Sequence, residues 1–402
     1  MCLAQVLFMP TFMLLSAEIV NLHHQLSVMS DVPTMKLRYR SEPGYTSLAW
    51  RPKDSKFMAA IYGKVGNAQD EMKFNAHAVV LLDINTKELV VIVHNKEYIW
   101  DQREWIYIDA YWYMLTKLLW SPDGKYLAIN SGWGRGEPTI FQCDISPKTG
   151  KPSFSLERVI DTGMKPQYNF VPQFWLRKKL QWRVHYEWIS VYGLSGDGFE
   201  YQPGQGWVQH REPFMQYEQK LTTMQYIVCN DQHIFAWVHS LPKAQIAFDF
   251  LMITAQKGDE VAKHNLCGGI LCADITYAKG FYILAYIPQS NPKEVRIQRM
   301  DRYGQLIGSP YILKNDIAVT CVWRQGSQEL IVGEMKDALP KITWYQYDVD
   351  RGSMVKKFSR TIAEPVKSLI VKLLPNYDGL FFVVYFNDTS FDIYDMPDQM
   401  LD

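Results

Sequence analysis

Trp120-Ser121-Pro122-Asp123-Gly124-Lys125-Tyr126-Leu127-Ala128-Ile129 reads as a strand end, an Asp-Gly turn and a returning strand. Asp-Gly between apolar runs is the strongest short hairpin signal, because the favoured tight turns need residues that tolerate positive φ. Two further copies keep the leading tryptophan: Trp50-Arg51-Pro52-Lys53-Asp54-Ser55-Lys56-Phe57-Met58-Ala59-Ala60-Ile61, and Trp323-Arg324-Gln325-Gly326-Ser327-Gln328-Glu329-Leu330-Ile331-Val332. Weaker copies run from Val228-Cys229-Asn230-Asp231, from Thr276-Tyr277-Ala278-Lys279-Gly280 and from Leu374-Pro375-Asn376-Tyr377-Asp378-Gly379, each into an apolar run. A second hairpin follows at a steady distance, with turns at Asp83-Ile84-Asn85-Thr86-Lys87, at Asp144 to Gly150, at Asp301-Arg302-Tyr303-Gly304 and at Asp348-Val349-Asp350-Arg351-Gly352. Two hairpins per period make four strands per period.

Anchors at 50, 120, 182, 228, 276, 323 and 374 are spaced by 70, 62, 46, 48, 47 and 51 residues. A four-stranded unit recurring every ~40–50 residues is the signature of a β-propeller. The expectation is an all-β fold with seven four-stranded blades. Six or eight stay open, because the unit at Trp182 is degenerate and Leu194-Ser195-Gly196-Asp197-Gly198 competes with it for the anchor. The last unit ends after Ser390-Phe391-Asp392-Ile393-Tyr394, one strand short. Met35-Lys36-Leu37-Arg38-Tyr39-Arg40 alternates with period two, as a half-buried strand does. This N-terminal strand is therefore predicted to close the ring as the outer strand of the last blade, which removes an exposed edge.

The Trp-Ser-Pro-Asp-Gly-Lys-Tyr-Leu-Ala run at 120–128, with its Asp-led second turns, resembles the WD-repeat and TolB-like propellers over roughly residues 35–400. The resemblance implies the architecture and says little of function, since such propellers serve many roles. The Gly-His and Trp-Asp dipeptides of regular WD repeats are missing from the expected blade positions, and Trp100-Asp101 falls in an insertion. A diverged member, nearer the TolB-like style, is the better match.

The 402 residues hold 42 Lys+Arg against 42 Asp+Glu, a balance that argues against a general polyanion binder. An apolar share of 48 % is too high for a disordered chain. Six cysteines are too few for a disulfide scaffold, and Cys143, Cys229, Cys272 and Cys321 sit in apolar runs where a thiol behaves as a small hydrophobe. This usage suits a reducing compartment, so a cytoplasmic location is expected. Residues 1–34 form a separate apolar N-terminal segment ahead of a propeller at 35–402. Leu3 to Leu15 followed by Ser16-Ala17 reads as a signal-peptide core with export as the consequence, as a docked apolar helix, or as sequence upstream of a start at Met29 or Met35. The run is shorter than the ~20 apolar residues a membrane span needs.

The long spacings mark insertions. One runs from about Asn95 to Tyr113 and carries Trp100, Trp105 and Trp112; the other runs from about Asp161 to Lys179 and carries Trp175 and Arg177. Aromatic and Arg side chains carry interface energy, and loops on a rigid scaffold are where function concentrates. Trp133 and Arg135 lie in Gly132-Trp133-Gly134-Arg135-Gly136, which continues into a strand and is not a dinucleotide fingerprint. These seven residues are the candidate partner-binding set. The bland reading is packing against neighbouring blades or capping of the ring for the two insertions, and a flexible loop on one face of the ring for 132–136.

No catalytic, cofactor or metal residues are assigned. His264-x2-Cys267-x4-Cys272 lacks an evident fourth zinc ligand. Gly193-Leu194-Ser195-Gly196-Asp197 misses the nucleophile elbow. Arg177-Lys178-Lys179 with Arg183 is too small a basic patch to expect nucleic acid. The function expected from sequence is a non-catalytic scaffold, monomeric as a ring, for protein–protein contact, on its own or as a component of a larger assembly. The alternative is a propeller enzyme or small-ligand binder that uses the central channel.

Overall fold

The structure is a computed structural model that describes residues 35–52, 54, 56–65, 74–94, 97–101, 104–108, 118–130, 138–159, 168–176, 179–186, 198–203, 206–210, 224–228, 232–238, 248–255, 259–324, 327–337, 339–362 and 370–396. The apolar segment 1–34 lies outside these. After β1 (Leu37–Arg40), a first sheet forms from β2 (Tyr45–Trp50), β3 (Phe57–Val65), β4 (Phe74–Asp83) and β5 (Leu89–His94). A hairpin of β6 (Glu97–Asp101) and β7 (Glu104–Ile108) follows. The second sheet holds β8 (Leu118–Trp120), β9 (Tyr126–Asn130), β10 (Pro138–Ile145) and β11 (Pro152–Val159). The third holds β12 (Tyr168–Leu176), β13 (Lys179–Tyr186), β14 (Gly198–Gln202) and β15 (Gly206–His210). The fourth holds β16 (Met224–Val228), β17 (His233–Val238), β18 (Phe250–Thr254) and β19 (Glu260–His264). The fifth holds β20 (Ile270–Ala278), β21 (Phe281–Pro288), β22 (Glu294–Met300) and β23 (Leu306–Lys314). The sixth holds β24 (Ile317–Trp323), β25 (Glu329–Lys336), β26 (Leu339–Asp348) and β27 (Ser353–Thr361). The last holds β28 (Ile370–Pro375), β29 (Phe381–Phe386) and β30 (Phe391–Asp395), with β1 as its fourth strand. Among the described residues this makes seven four-stranded antiparallel sheets and one two-stranded hairpin. No helix among them is long and apolar enough to cross a membrane.

The core is built between consecutive sheets. Side chains alternate across a strand, so a sheet sandwiched between two others must be apolar on both faces. Phe57, Ala59 and Ile61 of β3 pack with Leu118, Leu127 and Phe141 of the second sheet. Met58 and Ala60, on the opposite face of the same strand, pack with Val383, Phe391 and Ile393 of the last sheet. Further on, Ile283, Ala285 and Ile287 of β21 face the sixth sheet, while Tyr282, Leu284 and Tyr286 face the fourth. The contact between the last and first sheets closes the ring.

The β1 strand completes the last sheet, as the period-two pattern at 35–40 anticipates. It pairs antiparallel with β30, Leu37 opposite Tyr394 and Arg40 opposite Asp392. Arg40 grips the buried Asp392 carboxylate with two N–H donors at 2.9 and 2.8 Å, and Arg38 donates to Asp395 at 2.8 Å. The Tyr394 hydroxyl donates to the same Asp392, and Tyr39 stacks on Phe391 at 5.6 Å.

Asp side chains fix the second turns by accepting the N–H groups that follow. Asp83 accepts from Asn85 and Thr86, Asp301 from Tyr303 and Gln305, and Asp348 from Asp350 and Arg351. Such local bonds are why Asp initiates turns. In the second sheet Ser146 takes this part, accepting from Gly150 and Thr149, with Asp144 still inside β10.

The first turns interlock with the neighbouring sheet. Arg51, next to Trp50, donates to the carbonyl of Gly124 at 2.9 Å. Arg324, next to Trp323, lies against Gly379 and is held by Glu329 at 2.7 Å. Gly379 has φ +67°, and a Cβ there would sit 2.1 Å from the Arg324 Nε. Gly379→Ala is expected to cost clearly more than Gly280→Ala. Both leave the favoured region at about 1–2 kcal/mol, but Gly280 opens onto empty space and Gly379 does not. Equal shifts in urea midpoint for the two variants would rule out the Arg324 contact as a determinant.

The third unit departs from the sequence reading. Residues 168–176, expected to lie in an insertion with Trp175, form β12, the first strand of the third sheet. Trp182 lies in β13, opposite Pro172 and Phe199, so the anchor shifts to Leu176 at the end of β12. The misreading arose because β12 carries Pro172 beside a register shift, a residue that argues against a strand from sequence alone.

Candidate functional site

Antiparallel succession within each sheet sends the first-to-second and third-to-fourth turns to one end. The second-to-third loops and the sheet-to-sheet connections go to the other. The connection from β5 to β8 contains Trp100, Trp105 and Trp112. Trp100 and Trp105 sit directly opposite each other in the β6–β7 hairpin, and Asp101 faces Glu104. β6 runs beside β11. The insertion is thus a strand pair added to one end of the second sheet. Trp112, Trp133 and Arg135 lie outside the described residues. Trp175 stands in β12 opposite Leu180, at the other end, and Arg177 lies outside the described residues. Among the described candidates, Trp100 and Trp105 come together in one hairpin and Trp175 lies in a different sheet.

A second constellation lies on the first strands of the fifth, sixth and last sheets, which run side by side as β20, β24 and β28. Each of these strands has a break in register at the same place, between Ile270 and Cys272, between Ala318 and Thr320, and between Ile370 and Lys372. Bulges re-aim the side chains beside them. Cys272, Thr320 and Lys372 follow the three bulges at matching positions. Cys272 Sγ lies 3.7 Å from Thr320 Oγ1 and 3.5 Å from the carbonyl of Cys321. Asp274, two residues on and so on the same face as Cys272, accepts the N–H of Trp323 at 2.7 Å and of Ile275 at 2.9 Å. Lys372 keeps solvent exposure although protein atoms crowd around it.

Enclosure sets the charges there. Burial pushes Asp274 up to about 7, against the pull of its two backbone donors. Burial also pushes the Lys372 ammonium down, with Cys272 and Asp274 opposing. Cys272 is drawn below the ordinary thiol range by a hydrogen bond from the Cys321 thiol, whose own titration is pushed well up. Alkylation consumes thiolate, so its rate rises with pH through the thiol's titration. Cys272 is expected to reach half-maximal alkylation below the ordinary ~8.5. Cys143, pushed up to about 11 by burial, should stay slow until far higher pH. Mass-spectrometric rates across pH decide this; a Cys272 profile coincident with that of Cys143 would refute it.

The remaining motifs are spent on structure. His264 Nε2 meets the carbonyl of Gly304 at 2.7 Å, Cys267 donates to Gly269 O at 2.9 Å, and Cys272 turns to the sixth sheet. Buried Asp249 accepts from Leu266, Cys267 and Gly269 N–H groups, tying down that loop. Burial lowers His233, which lies 2.6 Å from the Tyr282 hydroxyl.

Sequence reading passed over Asp274 and Lys372 and took Cys272 and Cys321 for small hydrophobes. The available signal was a lone charged residue in the first strand of a period, where the neighbouring strands are apolar.

No protein-family model and no curated protein matches the chain. Solved structures do. The C-terminal WD40 domain of Sif2 aligns at TM-score 0.52 and 13 % identity, covering 92 % of this chain and 100 % of that one. The β-propeller domain of Cps50 (Swd1) from Myceliophteria thermophila aligns at 0.55 and 12 %, covering 90 % and 99 %. Sqt1 from Chaetomium thermophilum, bound to the N-terminus of ribosomal protein L10, aligns at 0.51 and 12 %, covering 88 % and 97 %. The fold that the chain shares with these structures is the β-propeller.

Proposed function

We propose that this propeller is a non-catalytic platform for protein–protein contact, with its docking surface at the end that carries the β6–β7 hairpin. The observation that carries the reading is topological: a strand pair with an opposed Trp100–Trp105 pair is added outside the four-stranded sheets, in the connection between the first and the second. Rigid sheets fix the ends of this connection, so a partner need not order the scaffold. Sqt1, a structural neighbour, is solved with the N-terminus of another protein bound, which supports peptide or protein docking as the use of such a ring.

The test compares both ends of the ring. Tagged full-length chain is captured from its native cells beside two variants, Trp100→Ala with Trp105→Ala and Trp112→Ala, and Trp175→Ala with Arg177→Ala. A stoichiometric partner lost only in the first variant is the expected result. Loss only in the second moves the surface to the opposite end, and absence of any partner removes the reading.

The alternative, a small-ligand or catalytic site in the channel, draws support from Asp274 and Lys372. Asp274 already has a structural use, though. It clasps the sixth sheet as Ser47 clasps the second by accepting the N–H of Leu118 at 2.8 Å.

A further inference from the structure

We propose that Cys272 and Cys321 are a redox pair that closes a reversible disulfide between the fifth and sixth sheets by exchange with a small disulfide entering the channel. Both are free thiols. Cys272 is partly accessible, whereas Cys321 is buried. Cys321 belongs to the apolar cluster between the fifth and sixth sheets, and Cys272 packs against that same cluster. Their orientations converge across the boundary between sheets. Cys272 Sγ reaches from β20 to the Cys321 carbonyl, and Cys321 Sγ reaches from β24 back to the carbonyl of Ala285 on β21 at 3.8 Å. The bulge at Leu271 re-aims β20 just ahead of Cys272, and that at Val319 does the same in β24 ahead of Thr320 and Cys321. An accessible thiol backed by a buried second thiol is the arrangement of an attacking and a resolving cysteine.

The chemistry balances with a dialkyl disulfide, R–S–S–R, as oxidant. The Cys272 thiolate attacks one sulfur, the R–S–S–R bond breaks, and one RS⁻ leaves and takes up the proton that Cys272 gave. Cys321 then attacks the Cys272 sulfur of the mixed disulfide, the second RS⁻ leaves, and the Cys321 proton goes to it. Two protein thiols and one disulfide become one protein disulfide and two RSH, with two electrons passed to the small molecule. The lowered titration of Cys272, with the Lys372 cation in reach, favours it as the attacking group. The product ties residues 49 apart in the chain across two sheets, so it should restrain the ring from opening there.

The test treats the native full-length protein with 2-hydroxyethyl disulfide, quenches in acid, alkylates the remaining thiols and maps peptides by mass spectrometry. The expected result is a peptide holding Cys272 linked to one holding Cys321, two alkylatable thiols lost and both restored by dithiothreitol, and a raised melting temperature. In Cys321→Ser, Cys272 should stop at the 2-hydroxyethylthio adduct. In Cys272→Ser, Cys321 should stay unreacted. A wild-type protein that carries only the adduct at Cys272, or that reacts at neither residue while the urea-unfolded chain does, overturns the proposal. Because no variant is needed for the first arm, a folding defect in either one leaves the test intact. Partner capture reports separately on the docking surface.

Discussion

A chain beginning at Ser41 is expected to melt far below one beginning at Met35. The shorter deletion leaves β1 on the last sheet; the longer one removes it. Without β1, the β30 edge loses its ladder partner and Asp392 loses Arg40. That carboxylate is buried, with 4 % of its side chain exposed, and Tyr394 is the hydrogen-bond donor it retains. Stranding a buried charge in this way costs about 3–5 kcal/mol. The lost stacking of Tyr39 on Phe391 and the lost ion pair between Arg38 and Asp395 add to it. Arg40→Ala isolates the charge. Because the Arg40 side chain is 44 % exposed, water partly replaces it, and about 1–3 kcal/mol is expected. Arg40→Lys should recover little, since an ammonium cannot make the paired contact. Thermal melts of the two truncations decide the matter. If they coincide, β1 does not close the ring.

Trp344→Ala should cost about 3–5 kcal/mol, the range for emptying a buried aromatic site. Trp344 is fully buried and meets Phe358 at 5.1 Å and Phe382 at 5.2 Å, so it joins the sixth sheet to the last. Its indole N–H finds no acceptor among the described residues. A buried donor without a partner is itself unfavourable by about 1–3 kcal/mol. Trp344→Phe removes that donor and keeps a ring in place, so its penalty should be much the smaller of the two. Chemical denaturation of both variants tests the pair. A Phe variant as unstable as the Ala variant would mean that indole volume, not ring contact, holds the two sheets.

The contrast among three anchor tryptophans explains why the repeat was legible. Trp50 donates to Leu374 O at 2.8 Å and Trp120 to Ala49 O at 3.2 Å, each reaching the first strand of the sheet before it. Trp323 is buried in the same place, but its indole N–H has no acceptor among the described residues, and its backbone N–H goes to Asp274 instead. Burial between sheets therefore retains the tryptophan even where the hydrogen bond is gone, and the pattern survives in the sequence. In the third unit the pattern fails. There Pro172 sits inside a strand, and period and propensity disagree.

Strand period and turn chemistry are local properties, carried by alternation and by Asp and Gly at turns, and ring closure was legible because the last unit is one strand short and 35–40 alternates with period two. The sequence by itself therefore determined an all-β repeat, its four strands per unit and the strand that closes it. Which side chains meet was decided only by the tertiary structure. Cys272, Thr320 and Lys372 come from three separate repeats, spaced too far apart for any motif, and bulges set them side by side on neighbouring first strands. The same holds at the ring's ends. Whether a loop shares an end with the β6–β7 hairpin depends on the parity of its strand within a sheet, and in the third unit Trp175 falls on β12, a strand of the sheet, and not in an insertion.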